Sequence, residues 1–241
     1  MKDQIFYSAG DTQAMTYATA ALQQTGCRFA AEPDTSVSHL LLDVPHKNWA
    51  CLPAILSRLS PDVTIVGGNL SHPALAGYQT VDLLQDPIYL AQNAGITAHC
   101  AIKLVLQELP VTLNRCPVLV VGWGRIGKCL ARLLRQMGAS VTVAARKETD
   151  RAMLVALGYE VMDITAQVAG LANYRVIFNT VPAMVMSQDT LGCCRPDCLK
   201  LELASLPGIA GEDIICARGL PNRGAPESSG QLIAHCILRL C

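Results

Sequence analysis

The segment Pro117–Arg146, PVLVVGWGRIGKCLARLLRQMGASVTVAAR, constrains the fold more than any other part of the chain. An apolar run leads into Gly122, Gly124 and Gly127, an amphipathic stretch follows, and a second apolar run ends the segment. This order predicts a strand, a glycine turn, a helix and a second strand. In that context the spacing G-x-G-x-x-G indicates dinucleotide binding. The alternative is a tight turn that needs glycine for its geometry alone.

Each glycine has a separate role in such a turn. Gly122 permits the reversal of the backbone, Gly124 leaves room for a pyrophosphate, and Gly127 lets the helix pack closely on the strand. The first N–H groups of the helix then face the phosphates. The predicted phosphate site consists of Gly122, Trp123, Gly124, Arg125, Ile126 and Gly127.

The end of the second strand indicates which dinucleotide is preferred. A carboxylate about 20 residues after the glycines usually binds the ribose of NAD. Here Ala144 and Ala145 are followed by Arg146 and Lys147, and no carboxylate is present. Charge-assisted contacts from these two cations to a 2′-phosphate favour NADP as the cofactor, with NAD as the alternative. The two residues could equally be exposed charges at the end of a strand.

Apolar runs and helical patterns alternate along the chain, which predicts an α/β fold with parallel sheets covered on both faces. We expect two lobes, each a doubly wound parallel sheet. Residues 1–92 form an N-terminal α/β lobe, and residues 93–226 form a Rossmann dinucleotide-binding domain that begins with a linker helix over 93–109. A last helix over 227–241, capped by Ser228 or Ser229, is expected to pack back on the first lobe.

The charge balance argues against nucleic acid and membrane partners. Lys plus Arg and Asp plus Glu number 19 each, so the formal net charge is zero. Neither nucleic acid nor an anionic membrane is therefore expected to bind. No apolar segment reaches the roughly 20 residues of a membrane helix, and no signal peptide is evident, so we expect a soluble cytoplasmic protein.

The 11 cysteines are scattered along the chain and fit a reducing compartment better than a disulfide framework. Cys193, Cys194 and Cys198 form the one cluster, but it contains no C-x-x-C pair and no nearby histidine. We therefore expect no metal site, with a zinc site at this cluster as the alternative.

Doubly wound sheets bind ligands outside the carboxyl ends of their strands. Small uncharged residues follow several predicted strands here: Thr180, Val181 and Pro182, then Ala204 and Ser205, then Gly219, Leu220 and Pro221. Such residues allow close packing against a nicotinamide, although plain turns would have the same composition. Glu202 lies in an apolar strand and is either a functional carboxylate or part of the exposed face of an edge strand.

Four segments in a fixed order distinguish this chain from most dehydrogenases. They are the region from NAGITAHC to TVAAR, followed by VIFNTVPAMVMSQDTL, LKLELASLPGI and ARGLPNRGAPESSGQLIA. In this order, from Ile88 to Leu240, the chain resembles the family of dipicolinate synthase A subunits. The resemblance implies an NAD(P)-linked sporulation enzyme that forms pyridine-2,6-dicarboxylate from a dihydrodipicolinate-type precursor. A flavoprotein-like B subunit is the partner that it implies, and we expect a homo-oligomer such as a dimer.

The same resemblance implies where ligands bind. Gly122 to Gly127 would hold the phosphates, Arg146 the ribose phosphate, and Thr180–Pro182 with Ala204–Ser205 the nicotinamide. The small dicarboxylate substrate would face the helix entry and the last of the three loops. The substrate candidates are Asp11, Asn93, Thr97, His99, Glu202, Gly219, Leu220 and Pro221, and cations available to a dicarboxylate are Arg125, Arg218 and Arg223.

The chain departs from the family on the presumed substrate side. Its first lobe is shorter, His99 and Cys100 replace a Glu-Gly pair, Glu202 replaces an aspartate, and Asn222 replaces a glycine. His99 could donate a proton to the substrate, or it could be a packed or solvated helix residue. These departures make cofactor binding a firmer expectation than substrate identity, and they leave the catalytic residues unassigned.

Two other functions remain open from the sequence. The shortened first lobe is compatible with a nucleotide-binding scaffold protein that has no turnover of its own. Another two-lobed dehydrogenase, of the 2-hydroxyacid or shikimate type, is the second alternative. The 2-hydroxyacid type uses an Arg, Glu and His set after its cofactor unit, yet His235 is the one histidine after Gly127. The shikimate type would depend on a pairing of Lys47 with Asp86, which nothing else in the sequence supports.

Overall fold

The computed structural model describes residues 4–164, 170–211 and 213–241. It forms two compact units. The first unit is Met1–Asn93 with Pro221–Cys241, and the second unit is Ala94–Leu220. The first three residues of the predicted N-terminal lobe lie outside the described part of the chain. No helix among the described residues is long and apolar enough to cross a membrane.

The first unit contains a five-stranded sheet in the order β2-β1-β3-β4-β5, and every neighbouring pair is parallel. The strands are β1 (Ile5–Ser8), β2 (Arg28–Phe29), β3 (His39–Leu41), β4 (Thr64–Gly67) and β5 (Gln79–Asp82). Helices α1 (Gln13–Gln24) and α2 (Leu52–Leu56) connect strands of this sheet. The central strands are buried, because a parallel sheet is covered on both faces.

The turn between β1 and α1 is held by a buried carboxylate. Asp43, which follows β3, is 6% exposed. Its Oδ1 accepts hydrogen bonds from Thr12 N at 3.2 Å and Thr12 Oγ1 at 2.6 Å, and its Oδ2 accepts one from Asp11 N at 3.1 Å. Thr12 Oγ1 in turn caps α1 by accepting from Met15 N at 3.2 Å. The carboxylate of Asp43 therefore fixes the start of α1.

The last two helices complete the first unit, except that Leu220, the first residue of the earlier helix, belongs to the second unit. They are α7 (Leu220–Gly224) and α8 (Pro226–Leu240). A Cβ on Gly230 would lie 2.5 Å from Ala14 O, so α8 approaches α1 too closely for a side chain at that position. The helix begins at Pro226 with Ala225 as its N-cap, so the expectation of a serine cap is wrong. Residues 221–226, expected in the Rossmann domain, belong to the first unit, where Asn222 Nδ2 donates to Val44 O at 3.3 Å.

The second unit contains a six-stranded parallel sheet in the order β11-β10-β9-β6-β7-β8. Its strands are β6 (Pro117–Val121), β7 (Ser140–Ala145), β8 (Glu160–Asp163), β9 (Val176–Asn179), β10 (Leu199–Glu202) and β11 (Ile214–Cys216). Its connecting helices are α4 (Arg125–Gln136), α5 (Glu148–Ala156) and α6 (Gln188–Gly192). This is the strand order of a dinucleotide-binding sheet, with the switch point between β6 and β9. The predicted fold class, two doubly wound parallel α/β lobes, is confirmed.

One long helix, α3 (Pro87–Glu108), precedes the second sheet. The sequence placed its start at residue 93, which is six residues too late. Asp86 explains the earlier start, because its carboxylate accepts hydrogen bonds from Ile88 N at 3.4 Å and Tyr89 N at 2.8 Å. Pro87 occupies the first turn, where its missing N–H has no intrahelical partner to lose. Arg239 on α8 forms an ion pair with the same carboxylate.

Candidate functional site

The glycine turn lies between β6 and α4, beside the switch point of the second sheet. Gly122 has a φ of +105°, and a Cβ there would lie 2.4 Å from Thr180 Oγ1. A Cβ on Gly127 would lie 2.1 Å from Gly122 O. Gly122 and Gly127 are therefore required by the turn itself, as the packing interpretation proposed.

Gly124 differs from the other two glycines. Its φ of −81° and ψ of −168° are open to any residue, and a Cβ there would have no heavy atom within 4 Å. No contact inside the described protein therefore requires glycine at position 124. The open space lies directly before the first turn of α4, where a phosphate would approach.

The first turn of α4 has free N–H groups beside this space. Gly124 is the N-cap, no side chain caps the helix, and the first intrahelical bond runs from Lys128 N to Gly124 O at 3.0 Å. The N–H groups of Arg125, Ile126 and Gly127 therefore have no partner within the helix. Together with the helix dipole they favour an anion at this end.

Trp123 packs against the flank of this turn. Its ring meets the ring of Tyr159 edge to face, with 5.9 Å between centroids. The Nζ atom of Lys128 lies 5.7 Å from the centroid of the Trp123 ring, within cation–π range. The half-buried indole is therefore fixed beside the predicted phosphate site and can report on its occupancy.

The end of β7 presents cations, as the sequence indicated. The side chains of Arg146 and Lys147 are exposed. Arg151 shapes the backbone beneath them, because its Nη1 donates to Ala145 O at 3.0 Å and to Arg146 O at 2.7 Å. The same atom lies 3.1 Å from a carboxylate oxygen of Asp163. Arg151 could not be predicted from the sequence, since an arginine in a helix carries no local signal for this role.

The loop after β9 supports the glycine turn from below. The hydroxyl of Thr180 donates to Val121 O at 2.8 Å, and the backbone N–H of Thr180 donates to the same oxygen at 2.9 Å. Thr180 was expected to flank the nicotinamide, but its hydroxyl is used by the turn. Val181 is half-buried and Pro182 is exposed at the same edge of the sheet.

A buried polar cluster joins the loops after β9 and β10. Glu202 is 3% exposed and Asn179 is fully buried. Glu202 Oε1 accepts from Asn179 Nδ2 and Ala204 N, each at 2.9 Å. Glu202 Oε2 accepts from Gly208 N at 2.7 Å, and from Ile209 N and Asn179 Nδ2, each at 3.1 Å.

This cluster corrects the interpretation of Glu202. The residue is neither on an edge strand, since β11 lies outside β10, nor exposed to solvent. Its oxygens are occupied by N–H groups of its own sheet edge, so it does not present a carboxylate to a substrate. Ala204 is buried in the same cluster, whereas Ser205 is exposed. The sequences of β9 and β11, the strands on either side of β10, contain no motif that predicts this arrangement.

The structure does not place His99 near the glycine turn. His99 is exposed on α3 and lines a surface groove of about 570 Å³ with Lys103 and Leu106. Leu133, near the end of α4, and Met137, which follows that helix, line the same groove. The 12 residues of α4 extend over about 18 Å at 1.5 Å per residue. This position favours the solvated helix residue over the proton donor.

The remaining substrate candidates are divided between the two units. Asp11 and Asn93 lie in the first unit, and Thr97 lies in the second. The Asp11 side chain is exposed while its N–H is bound by Asp43, and Thr97 is 7% exposed. The last three candidates lie at the start of α7: Gly219, with a φ of +66°, precedes the helix, and buried Leu220 and half-buried Pro221 are its first two residues.

The three thiols of the cysteine cluster differ in exposure. Cys193 is exposed, Cys194 is half-buried and Cys198 is 5% exposed. Burial raises the pKa of the Cys198 thiol to about 12, so that it stays protonated near neutral pH. Among the described residues, no three histidine, cysteine or acidic side chains are grouped so that they could hold a metal ion.

Comparisons with known proteins support the resemblance. No family model matches the chain. The A subunit of dipicolinate synthase from Bacillus subtilis (strain 168) is 29% identical over 175 residues, which are 69% of this chain and 59% of the relative. The chain therefore matches less than two-thirds of that relative's length.

Solved structures show the fold. The A subunit of dipicolinate synthase from Bacillus halodurans superposes with a TM-score of 0.86 at 21% identity, covering 100% of this chain and 98% of the other. The apo form of D-lactate dehydrogenase from Escherichia coli superposes with a TM-score of 0.59 at 13% identity, covering 98% and 95%. The chain is thus similar to the dipicolinate synthase A subunits and has a dehydrogenase-type fold, as the resemblance implied.

Proposed function

We propose that the second unit binds NADP(H) across the carboxyl edge of its sheet and that the chain is a nicotinamide-dependent oxidoreductase. The observation that carries this proposal is the open space at Gly124. Two of the three glycines serve the turn, but the third has no intramolecular reason to be glycine. A pyrophosphate that accepts hydrogen bonds from the first turn of α4 supplies that reason.

The preference for NADP rests on the end of β7. Arg146 and Lys147 are exposed there, and within the described residues no group pairs with the guanidinium of Arg146. Arg151 fixes the carbonyls of Ala145 and Arg146 and so limits the movement of this segment. A 2′-phosphate would gain charge-assisted hydrogen bonds from the two cations. NAD lacks this group and would bind more weakly.

The substrate is proposed from the similarity to the dipicolinate synthase A subunits. In this proposal a dihydrodipicolinate-type dicarboxylate is oxidised to pyridine-2,6-dicarboxylate. A dinucleotide held at Gly122 to Gly127 would supply hydride-transfer chemistry: it would accept a hydride from the ring, which would also release a proton to water. Arg125, exposed beside the glycine turn, is one cation that could bind a substrate carboxylate. The proposed partner is a flavoprotein-like B subunit.

Nucleotide titration tests the cofactor assignment. Trp123 fluorescence is followed as NADPH or NADH is added, and Trp123→Phe identifies the signal against that of Trp49. We expect NADPH to bind at least about tenfold more tightly, which is about 1.4 kcal/mol. Arg146→Ala should remove this preference without removing binding. If neither nucleotide binds, the glycines form a packing turn only and the proposed function is wrong.

A second experiment tests the reaction. NADP⁺ and a dihydrodipicolinate-type acid are mixed with the protein, with and without the B subunit, and the absorbance of the reduced nicotinamide is followed at about 340 nm. We expect an increase that depends on the protein. Tight NADPH binding with no absorbance change under either condition would favour the scaffold role.

A further inference from the structure

Glu202 and Asn179 occupy the ends of two neighbouring strands of the second sheet, on the side of the switch point opposite to β7. A dinucleotide lies across this point, with one mononucleotide half on each side. If the adenosine half binds at the glycine turn and β7, the nicotinamide half lies over the loops after β9 and β10. A role of these loops in nicotinamide binding therefore rests on the proposed function.

Asn179 connects Glu202 to the loop after β9 through hydrogen bonds. Its Nδ2 donates both to the Glu202 carboxylate and to Val181 O, the latter at 3.1 Å. Its Oδ1 accepts from Val181 N at 3.1 Å. The amide therefore holds both backbone groups of Val181 while it is itself held by Glu202.

The loop after β10 is tied to the same carboxylate. Ala204 N, Gly208 N and Ile209 N all donate to it. Gly208 fits here only without a side chain, because a Cβ would lie 2.3 Å from Asn179 Nδ2 and 2.4 Å from Val181 O. One buried carboxylate thus fixes both loops in a single arrangement.

We propose that Glu202 is a positioning residue that holds the two loops as a rigid wall for the nicotinamide half of the cofactor. It acts through Asn179 and the backbone of the loop after β10, and it does not contact the substrate. A fixed wall matters because a reacting ring that is misplaced by about 1 Å loses much of its rate. The adenosine half depends on different residues, so the two halves should respond separately.

Glu202→Gln tests this role with almost no change in shape. Both oxygens of Glu202 face only N–H donors, so a glutamine must direct its own NH₂ group at other donors. Either Ala204 N or the pair Gly208 N and Ile209 N then loses its acceptor. The loops should relax while the glycine turn, which shares none of these bonds, keeps its geometry.

The experiment compares NADPH with 2′-phospho-ADP-ribose, which lacks the nicotinamide. We expect Glu202→Gln to weaken NADPH binding about tenfold, because the relaxed loops must be ordered again on binding at a cost similar to that of one charge-assisted bond, and to leave the fragment within about twofold of the wild type. Glu160→Gln is the matched control, since Glu160 is an exposed acid on β8 of the same sheet. It should change neither affinity.

Each result has a definite meaning. If the ratio of the NADPH and fragment affinities is the same in Glu202→Gln as in the wild type, whether neither ligand or both ligands bind more weakly, the role of Glu202 is overturned. The proposed function is not affected by that result. A wild-type protein that binds neither ligand overturns the proposed function as well. If Glu202→Gln does not fold, Asn179→Ala takes its place, because it removes the tie to Val181 and keeps the three backbone donors on Glu202. Asn179→Ala should also weaken NADPH binding relative to binding of the fragment.

Discussion

Replacing Gly124 with alanine should separate ligand binding from folding. The new Cβ would meet no heavy atom within 4 Å, and the backbone already has dihedral angles that alanine adopts. Alanine is a poorer N-cap than glycine, but it also restricts the unfolded chain, and these opposing effects are each about 1 kcal/mol or less. We therefore expect the free energy of unfolding to stay within about 1 kcal/mol of the wild type.

The same methyl group should interfere with the nucleotide. It would occupy the space that a pyrophosphate needs beside the first turn of α4, so we expect NADPH to bind at least about tenfold more weakly, or about 1.4 kcal/mol. Gly127→Ala, by contrast, should destabilise the fold itself. Its Cβ would lie 2.1 Å from Gly122 O, so the turn must shift, at a cost of about 1–3 kcal/mol to folding.

Thermal unfolding and NADPH titration of the same samples distinguish these effects. For a chain of this size we expect Gly127→Ala to lower the melting temperature by roughly 2–4 °C per kcal/mol. Gly95→Ala is the control, because it also adds a Cβ to open space, within α3, and should stabilise the helix by about 1 kcal/mol without affecting the nucleotide. A Gly124→Ala protein that folds normally and binds NADPH as tightly as the wild type would refute the assignment of this space to a phosphate.

Three further predictions concern other parts of the chain. Asp43→Asn removes one acceptor from a buried carboxylate and should lower the free energy of unfolding in urea by about 1–3 kcal/mol, whereas Asp62→Asn, at an exposed residue, should not. Gly230→Ala forces α8 away from α1 and should cost about 1–3 kcal/mol in thermal unfolding, with nucleotide affinity unchanged. Cys198, whose pKa burial raises to about 12, should resist thiol labelling at about pH 8 while Cys193 reacts. The contribution of the protonated Cys198 thiol to the free energy of unfolding is fully present below about pH 9 and is lost as the pH rises towards 12.

The sequence predicted the central strands and the outer strand Ile214–Cys216, but it missed the other outer strands. Arg28–Phe29, Gln79–Asp82 and Glu160–Asp163 form edge strands, and none of them was identified. A central parallel strand is buried on both faces and reads as a continuous apolar run, whereas an edge strand is only partly covered. The burial patterns agree, since β6 is almost fully buried and β5 is exposed or half-buried throughout. Periodicity therefore contained little information about the sheet edges.

The phosphate turn could be predicted because its chemistry is local. Gly122, Gly124 and Gly127 lie within six residues, and their spacing follows from one turn. The support beneath the turn is not local. Thr180 bonds to Val121, which is 59 positions away, and Arg151 bonds to the end of β7 from within a helix. Such contacts depend on which strands become neighbours, and that information is in the topology.

Buried acids at strand ends are a second feature, present in both sheets, whose role the sequence could not predict. Asp43 follows β3 and Glu202 ends β10, and each accepts several N–H groups from a loop at the carboxyl edge of its sheet. From the sequence, an acid at this edge is equally a candidate for catalysis, since ligands bind there. The bonds decide against that role, because an oxygen already occupied by backbone donors is poorly placed to take a proton from a substrate. We therefore expect substitution of Glu202 to change nucleotide affinity while the pH profile of turnover keeps its shape.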